Sequence, residues 1–321
     1  MSFSIIGTGS ALPKTVQSND DLAAFLDTSH EWIFSRTGIE SRHICVEETI
    51  LDLAVEAARQ ALDNAKLDLS ELDLIICPTL GGDTITPSLA CQIQEVLKAS
   101  CPCFDINAAC SGFVYGLDIA DAYFTRNPDM KILIVAVDAM SKLVDWQDRA
   151  TAVLFADGAG AAVLSAGSDL KSIRLTSTGN THALSIPWMK GNHPLQQTGS
   201  PLPYLKMDGA EVYRFAVSAI CADLKAVTKM AGLELSDLDL IIPHQANARI
   251  IEGAAKRLKL PLEKFAMQVS TVGNTSAASV PLVLDSLNRS GALKPGDLIG
   301  LTAFGGGLTT GAGLIKWSKN S

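Results

Sequence analysis

The sequence predicts an α/β protein built from two related halves stacked as layers, each with a mostly parallel sheet. Three observations carry this. The first is self-similarity: Leu67-Asp-Leu-Ser-Glu-Leu-Asp-Leu-Ile-Ile76 matches Leu233-Glu-Leu-Ser-Asp-Leu-Asp-Leu-Ile-Ile242 at an offset of 166 residues, and Ile132-Leu-Ile-Val-Ala-Val137 falls on Leu298-Ile-Gly-Leu-Thr-Ala303 at the same offset. Two segments sharing one long offset point to a duplicated domain rather than a solenoid. The second is that the apolar runs are short and buried on both faces, as in parallel sheets covered by helices. The third is length: 321 residues is about two domain-sized units and enough to bury a large core without staples.

The elements follow in order. Leu51–Ala65 and Val217–Ala231 have helical amphipathic spacing and precede the two copies of the repeated motif. Leu72–Cys77, Leu238–Pro243, Ile132–Val137 and Leu298–Ala303 read as buried strands. The halves are expected at 1–170 and 171–321, joined near Gly167–Ser172 and firmly packed, since nothing there resembles a flexible linker.

Composition narrows the function. The chain is 47% hydrophobic and 19% charged, which excludes a disordered protein. Its net charge of −8 argues against general nucleic-acid binding. No apolar run nears the ~18 residues of a membrane span, and the N-terminal residues lack a secretory pattern. The seven cysteines make no zinc-ribbon spacing; the nearest approach is Cys101-Pro-Cys103. They are expected to be reduced thiols of a cytoplasmic protein.

One cysteine stands apart. An apolar strand runs into Ala108-Ala-Cys-Ser-Gly112, and a helical pattern follows through Phe113, Leu117, Ala120 and Phe124. Cys110 thus sits at a strand-to-helix turn among small residues, where the helix dipole favours a thiolate. His244 ends a strand, the usual place for sites in α/β folds. Asn274 follows a glycine, and Phe304 precedes Gly305-Gly-Gly307, where backbone N–H groups can crowd a ligand. Two other motifs fail: Gly7-Thr-Gly-Ser-Ala-Leu12 has leucine where a dinucleotide fingerprint needs its third glycine, and Asp157-Gly-Ala-Gly160 lacks the lysine of a phosphate loop. The order Cys110, His244, Asn274 is that of a papain-like protease, but the signature around its cysteine is missing.

Taken together, the chain resembles the β-ketoacyl-acyl-carrier-protein synthase III family over essentially its whole length. The carrying motifs include Trp32-Ile-Phe-Ser-Arg-Thr-Gly-Ile39, Asn107-Ala-Ala-Cys-Ser-Gly112, Met207-Asp-Gly-Ala-Glu-Val212, His244-Gln-Ala-Asn-Ala-Arg249, Gly273-Asn-Thr-Ser276 and Phe304-Gly-Gly-Gly307. The resemblance implies a five-layer α-β-α-β-α thiolase fold with two mixed, mostly parallel sheets. It implies that Cys110 takes an acyl group from an acyl-CoA, with Cys110 and Gly306 N–H groups as oxyanion hole. Malonyl-acyl carrier protein would then lose CO2, its enolate oxygen bound by His244 and Asn274. The absence of a cysteine after Cys221 separates the chain from degradative thiolases, and the absence of a histidine after His244 from elongating synthases.

The same resemblance places CoA on Trp32, Arg36 and Arg149, the carrier protein on Gln245, Ala246, Asn247, Ala248 and Arg249, and the acyl chain against Thr86 and Phe304. Thr86 stands where the family often has phenylalanine, so acyl groups longer than acetyl are expected to be tolerated. No cofactor or metal is expected, and a homodimer is. Residues 247–264 carry a local charge of +3 in an acidic protein, suited to an acidic carrier. The alternatives are a specialised relative making secondary metabolites and a non-catalytic carrier-binding scaffold, the latter opposed by intact Cys110, His244 and Asn274.

Overall fold

The structure is a computed structural model that describes residues 2–187 and 204–319. Nine strands form the two main sheets: β1 (Ser2–Ala11), β2 (Leu74–Pro78), β3 (Cys103–Ile106), β4 (Lys131–Ala139), β5 (Asp157–Gly167), β6 (Leu170–Asn180), β7 (Leu240–Pro243), β8 (Leu298–Gly305) and β9 (Gly307–Lys316). The longer helices are α1 (His30–Thr37), α2 (Ile50–Ala65), α3 (Leu89–Leu97), α4 (Gly112–Arg126), α5 (Gly209–Met230), α6 (Ala248–Leu258) and α7 (Ser279–Arg289).

The first sheet has the order β1-β5-β4-β2-β3 and the second β7-β8-β9-β6. Strands equivalent by the sequence repeat, β2 with β7 and β4 with β8, hold equivalent places, so both sheets repeat one strand order. β5 ends at Gly167 and β6 begins at Leu170, so the crossing between sheets takes two residues.

Burial assigns the layers. One face of the first sheet, including Ile75, Cys77, Leu133 and Val135, packs on Ala54, Ala58 and Ala61 of α2 and Ile93 of α3. Its other face, with Ile76 and Ile134, meets Phe113, Leu117 and Phe124 of α4 and Val280 and Val283 of α7. Those two helices also cover Ile299, Leu301 and Ile315 of the second sheet. The far face of that sheet, with Ile241 and Leu314, packs on α5 and α6. The result is five layers, helix–sheet–helix–sheet–helix. The glycines of the failed dinucleotide motif serve packing: a Cβ at Gly7 or Gly9 would lie 2.2 Å from the carbonyl oxygen of Ala61 or Ala57 on α2.

Two expectations need correction. The sheets are mixed but not mostly parallel: β2–β3, β2–β4 and β7–β8 are parallel, whereas β1–β5, β4–β5, β8–β9 and β9–β6 are antiparallel. Short links such as Gly306 between β8 and β9 leave no room for the crossover that a parallel pair demands. The helix expected at Val217 begins at Gly209, capped by Asp208, whose carboxylate accepts the Glu211 N–H at 2.9 Å.

Candidate active site

Cys110 lies in a one-turn helix, Ala109–Ser111, that links β3 to α4. The turn is tight: Ala109 has a left-handed φ of 47°, and the backbone of β8 presses against it. A Cβ at Gly305 would lie 2.7 Å from the Cys110 nitrogen, so only glycine fits there. The Cys110 side chain is buried. Burial pushes its thiol up to about 12, partly offset by the Ser276 hydroxyl, while the Asp138 carboxylate adds to the rise. Desolvation of the charged sulfur thus opposes the thiolate that a helix N-terminus favours.

His244 follows β7, and its N–H donates to the Thr302 carbonyl of β8 at 2.8 Å. Its ring packs edge-on against Phe304, with centroids 5.1 Å apart. Complete burial pulls the imidazole down to about 3, so it is neutral throughout the physiological range. Asn274 is held from both sides: its N–H donates to the Leu154 carbonyl, and its carbonyl accepts from the Ala156 N–H, each at 2.9 Å. Its Oδ1 accepts the Ser276 N–H at 3.0 Å, leaving the side-chain NH2 to donate elsewhere.

Cys110, His244, Asn274 and Phe304 line one cavity of about 470 Å³. Its lining includes the exposed Arg36, Tyr213 and Arg249 and the partly buried Trp32, whereas Cys110, His244 and Asn274 are buried, so the three reactive side chains stand at its buried end. A second chamber of about 340 Å³ shares Cys110, Phe155 and Leu184 with the first. Leu80, Met140, Leu143, Ile186 and Leu205 make it apolar, and Gly306 lies in its wall. Cys110 therefore stands where the two spaces meet.

Comparison with known proteins decides the family. The sequence pattern described as 3-Oxoacyl-[acyl-carrier-protein (ACP)] synthase III matches residues 104–181, and that of its C terminal matches 228–317. The chain is 42% identical to the β-ketoacyl-acyl-carrier-protein synthase III of Clostridium acetobutylicum over 99% of each chain.

The chain belongs to the 3-oxoacyl-acyl-carrier-protein synthase III family.

Solved structures agree. That of the synthase III of Aquifex aeolicus is 43% identical with a TM-score of 0.91, covering 98% of this chain and 100% of that one. That of the priming β-ketosynthase from the R1128 polyketide biosynthetic pathway is 34% identical with a TM-score of 0.93, covering 99% and 96%. The fold is the thiolase-like fold of the synthase III family, and the chain is a condensing acyltransferase by that membership.

The remaining expected residues separate into two groups. Trp32 and Arg36 line the mouth, and Trp32 is flanked by two guanidinium groups, Arg36 at 4.8 Å and Arg149 at 4.6 Å from its ring. Arg149 reaches the site through this stacking rather than by lining the cavity. Of the expected carrier-protein contacts, Arg249 is exposed and Asn247 half-buried, but Gln245, Ala246 and Ala248 are buried. Gln245 spends its amide internally, donating to the Pro243 and Ala266 carbonyls and accepting from the N–H groups of Gln268 and Val269. These three residues shape the turn into α6. Thr86 is exposed and lines neither chamber within the single chain. Residue reasoning missed the apolar chamber and the wall from Met207 to Phe215; the Met207–Val212 motif was visible without an assigned role.

Proposed function

We propose that this synthase III family member condenses an acyl-CoA starter with malonyl-acyl carrier protein and so initiates fatty-acid synthesis. The observation that carries the reading is the convergence of Cys110, His244 and Asn274 at one cavity end, with a neutral imidazole and an amide NH2 as the available polar groups. Cys110 sulfur attacks the thioester carbonyl, CoA leaves as thiol with the proton given up by Cys110, and the acyl group rests on sulfur. N–H groups of Cys110 and Gly306 hold the oxyanion. Malonyl thioester then loses CO2, and the electron pair of the broken C–C bond moves onto its thioester carbonyl. His244 and Asn274 donate hydrogen bonds to the resulting enolate oxygen. Its carbon attacks acyl-Cys110 and releases the thiolate. Decarboxylation supplies the carbanion, so this scheme uses no cofactor and no strong base.

The acyl chain would occupy the apolar chamber beside Cys110, whose volume and lining suit groups longer than acetyl. CoA would lie along Trp32, Arg36 and Arg149 at the mouth, and the acidic carrier would meet Arg249 with the exposed Lys256 and Arg257 of α6 and Lys259 just past its end. We further read residues 1–170 and 171–321 as duplicated halves. We read the protein as a cytoplasmic homodimer, in which the outer strand β3 of the first sheet and the exposed Ile85 offer a self-complementary edge. Among the described residues no helix is long and apolar enough to cross a membrane.

The test is intact-protein mass after incubation with acetyl-, butyryl- and octanoyl-CoA. An acyl adduct on the native chain and none on Cys110→Ala is expected, with butyryl accepted as well as acetyl. No adduct with any acyl-CoA would remove the initiating role.

A further inference from the structure

Ser279 is the first residue of α7, fully buried, with its Oγ 2.6 Å from His244 Nδ1. The same oxygen accepts the Gln245 N–H at 3.3 Å. Among the described residues the Ser279 hydroxyl has no other hydrogen-bond partner. A buried hydroxyl must place its own proton on an acceptor. The Gln245 N–H is a donor, which leaves His244 Nδ1 as the acceptor. A neutral imidazole holds one proton, so it must then sit on Nε2.

We infer that Ser279 is a positioning residue that locks His244 in the Nε2–H tautomer and thereby makes it a hydrogen-bond donor toward the cavity. The inference rests on the condensation scheme for its catalytic consequence. Without Ser279 the proton is free to sit on Nδ1, and Nε2 would face the enolate oxygen with a lone pair. The same device holds Asn274, where the Ser276 N–H occupies Oδ1 and leaves the NH2 outward. Two different side chains are each turned into donors by a serine of the same segment, one through its hydroxyl and one through its backbone.

Three readouts test this on the full-length protein. In 1H–15N spectra of 15N-histidine-labelled protein, with His244→Gln to assign the signal, the native chain should show Nε2–H. Ser279→Ala should lose that pure state, and Ser279→Thr should retain it. In kinetics, Ser279→Ala should slow decarboxylation of a malonyl thioester about tenfold or more, leave Cys110 acylation within about twofold, and be rescued by Ser279→Thr. An Nδ1–H signal in the native chain, or decarboxylation unchanged in a folded Ser279→Ala, overturns the inference. If Ser279→Ala does not fold, Ser279→Cys, which keeps the volume and donates weakly, takes its place under the same criteria. Failure of the condensation reading is a separate result: the native chain would neither acylate Cys110 nor decarboxylate, while the tautomer would still be read from the spectra.

Discussion

At the scale of single residues, two buried groups near the nucleophile oppose one another in their response to acid. His244 binds its proton at about 3 in the fold against 6.5 when free, so between those values the unfolded chain holds the extra proton and stability falls as pH falls. Asp138 is the reverse. Burial raises it from 3.8 to about 6, against donors that include the Leu80 N–H at 2.7 Å, so between those values the fold holds the extra proton and stability falls as pH rises. Each alone contributes a slope of at most about 1.4 kcal/mol per pH unit, and between about pH 4 and 6 the two offset. Asp138→Asn should therefore steepen acid destabilisation over that window, and His244→Gln should flatten or reverse it; denaturant midpoints at stepped pH measure both. Asp138 also bears on Cys110, whose thiol its charge pushes up. Iodoacetamide should alkylate Cys110 at a rate that keeps climbing past pH 9, and faster at neutral pH in Asp138→Asn. A plateau near neutrality would show a resting thiolate instead.

At the scale of elements, the strand–turn–helix around Cys110 was the most legible part of the chain. An apolar strand, the four small residues around Cys110 and the apolar positions Phe113, Leu117, Ala120 and Phe124 can be read without neighbours, and those four apolar positions are all buried. Leu117→Ala in α4 should cost about 2–5 kcal/mol in denaturant unfolding, because both sheets close on that helix and the space cannot collapse easily. The first two turns of α5 were not legible. Their periodicity is broken because Val212, Tyr213 and Phe215 line the cavity that ends at Cys110. The pairing of Gln245 was hidden for a related reason. A polar side chain in a loop reads as surface, and only the arrangement of the Pro243 and Ala266 carbonyls reveals that it is fully paired inside.

At the scale of the whole molecule, the repeat at 166 residues exposed the layered plan, since parallel β2 and β7 carry the same apolar signature into equivalent places. The apolar chamber stayed hidden because its walls come from Leu80, Asn107, Met140, Leu184 and Leu205, separated in sequence and joined only by folding. Charge distribution lay between these cases. The +3 segment was readable, but Lys264 is held by the Ser236 and Leu238 carbonyls, so the exposed side chains free to meet a partner are Arg249, Lys256, Arg257 and Lys259. Reversing Arg249 and Arg257 to glutamate should raise KM for malonyl-acyl carrier protein about tenfold or more and flatten its salt dependence, with acylation by a CoA thioester less affected. Equal loss with both substrates would mean that these arginines do not act in carrier docking.

The meeting of two chambers at one sulfur also sets the order of traffic. In the proposed scheme a chain held on Cys110 and stowed in the apolar chamber would leave the first cavity vacant, and both thioesters would enter by that cavity past Trp32 and Arg249. The first carrier must depart before the second arrives, so the two half-reactions are partitioned in time. On that scheme turnover would be a ping-pong exchange, an excess of either donor would crowd out the other, and the relative supply of the two thioesters would throttle the rate.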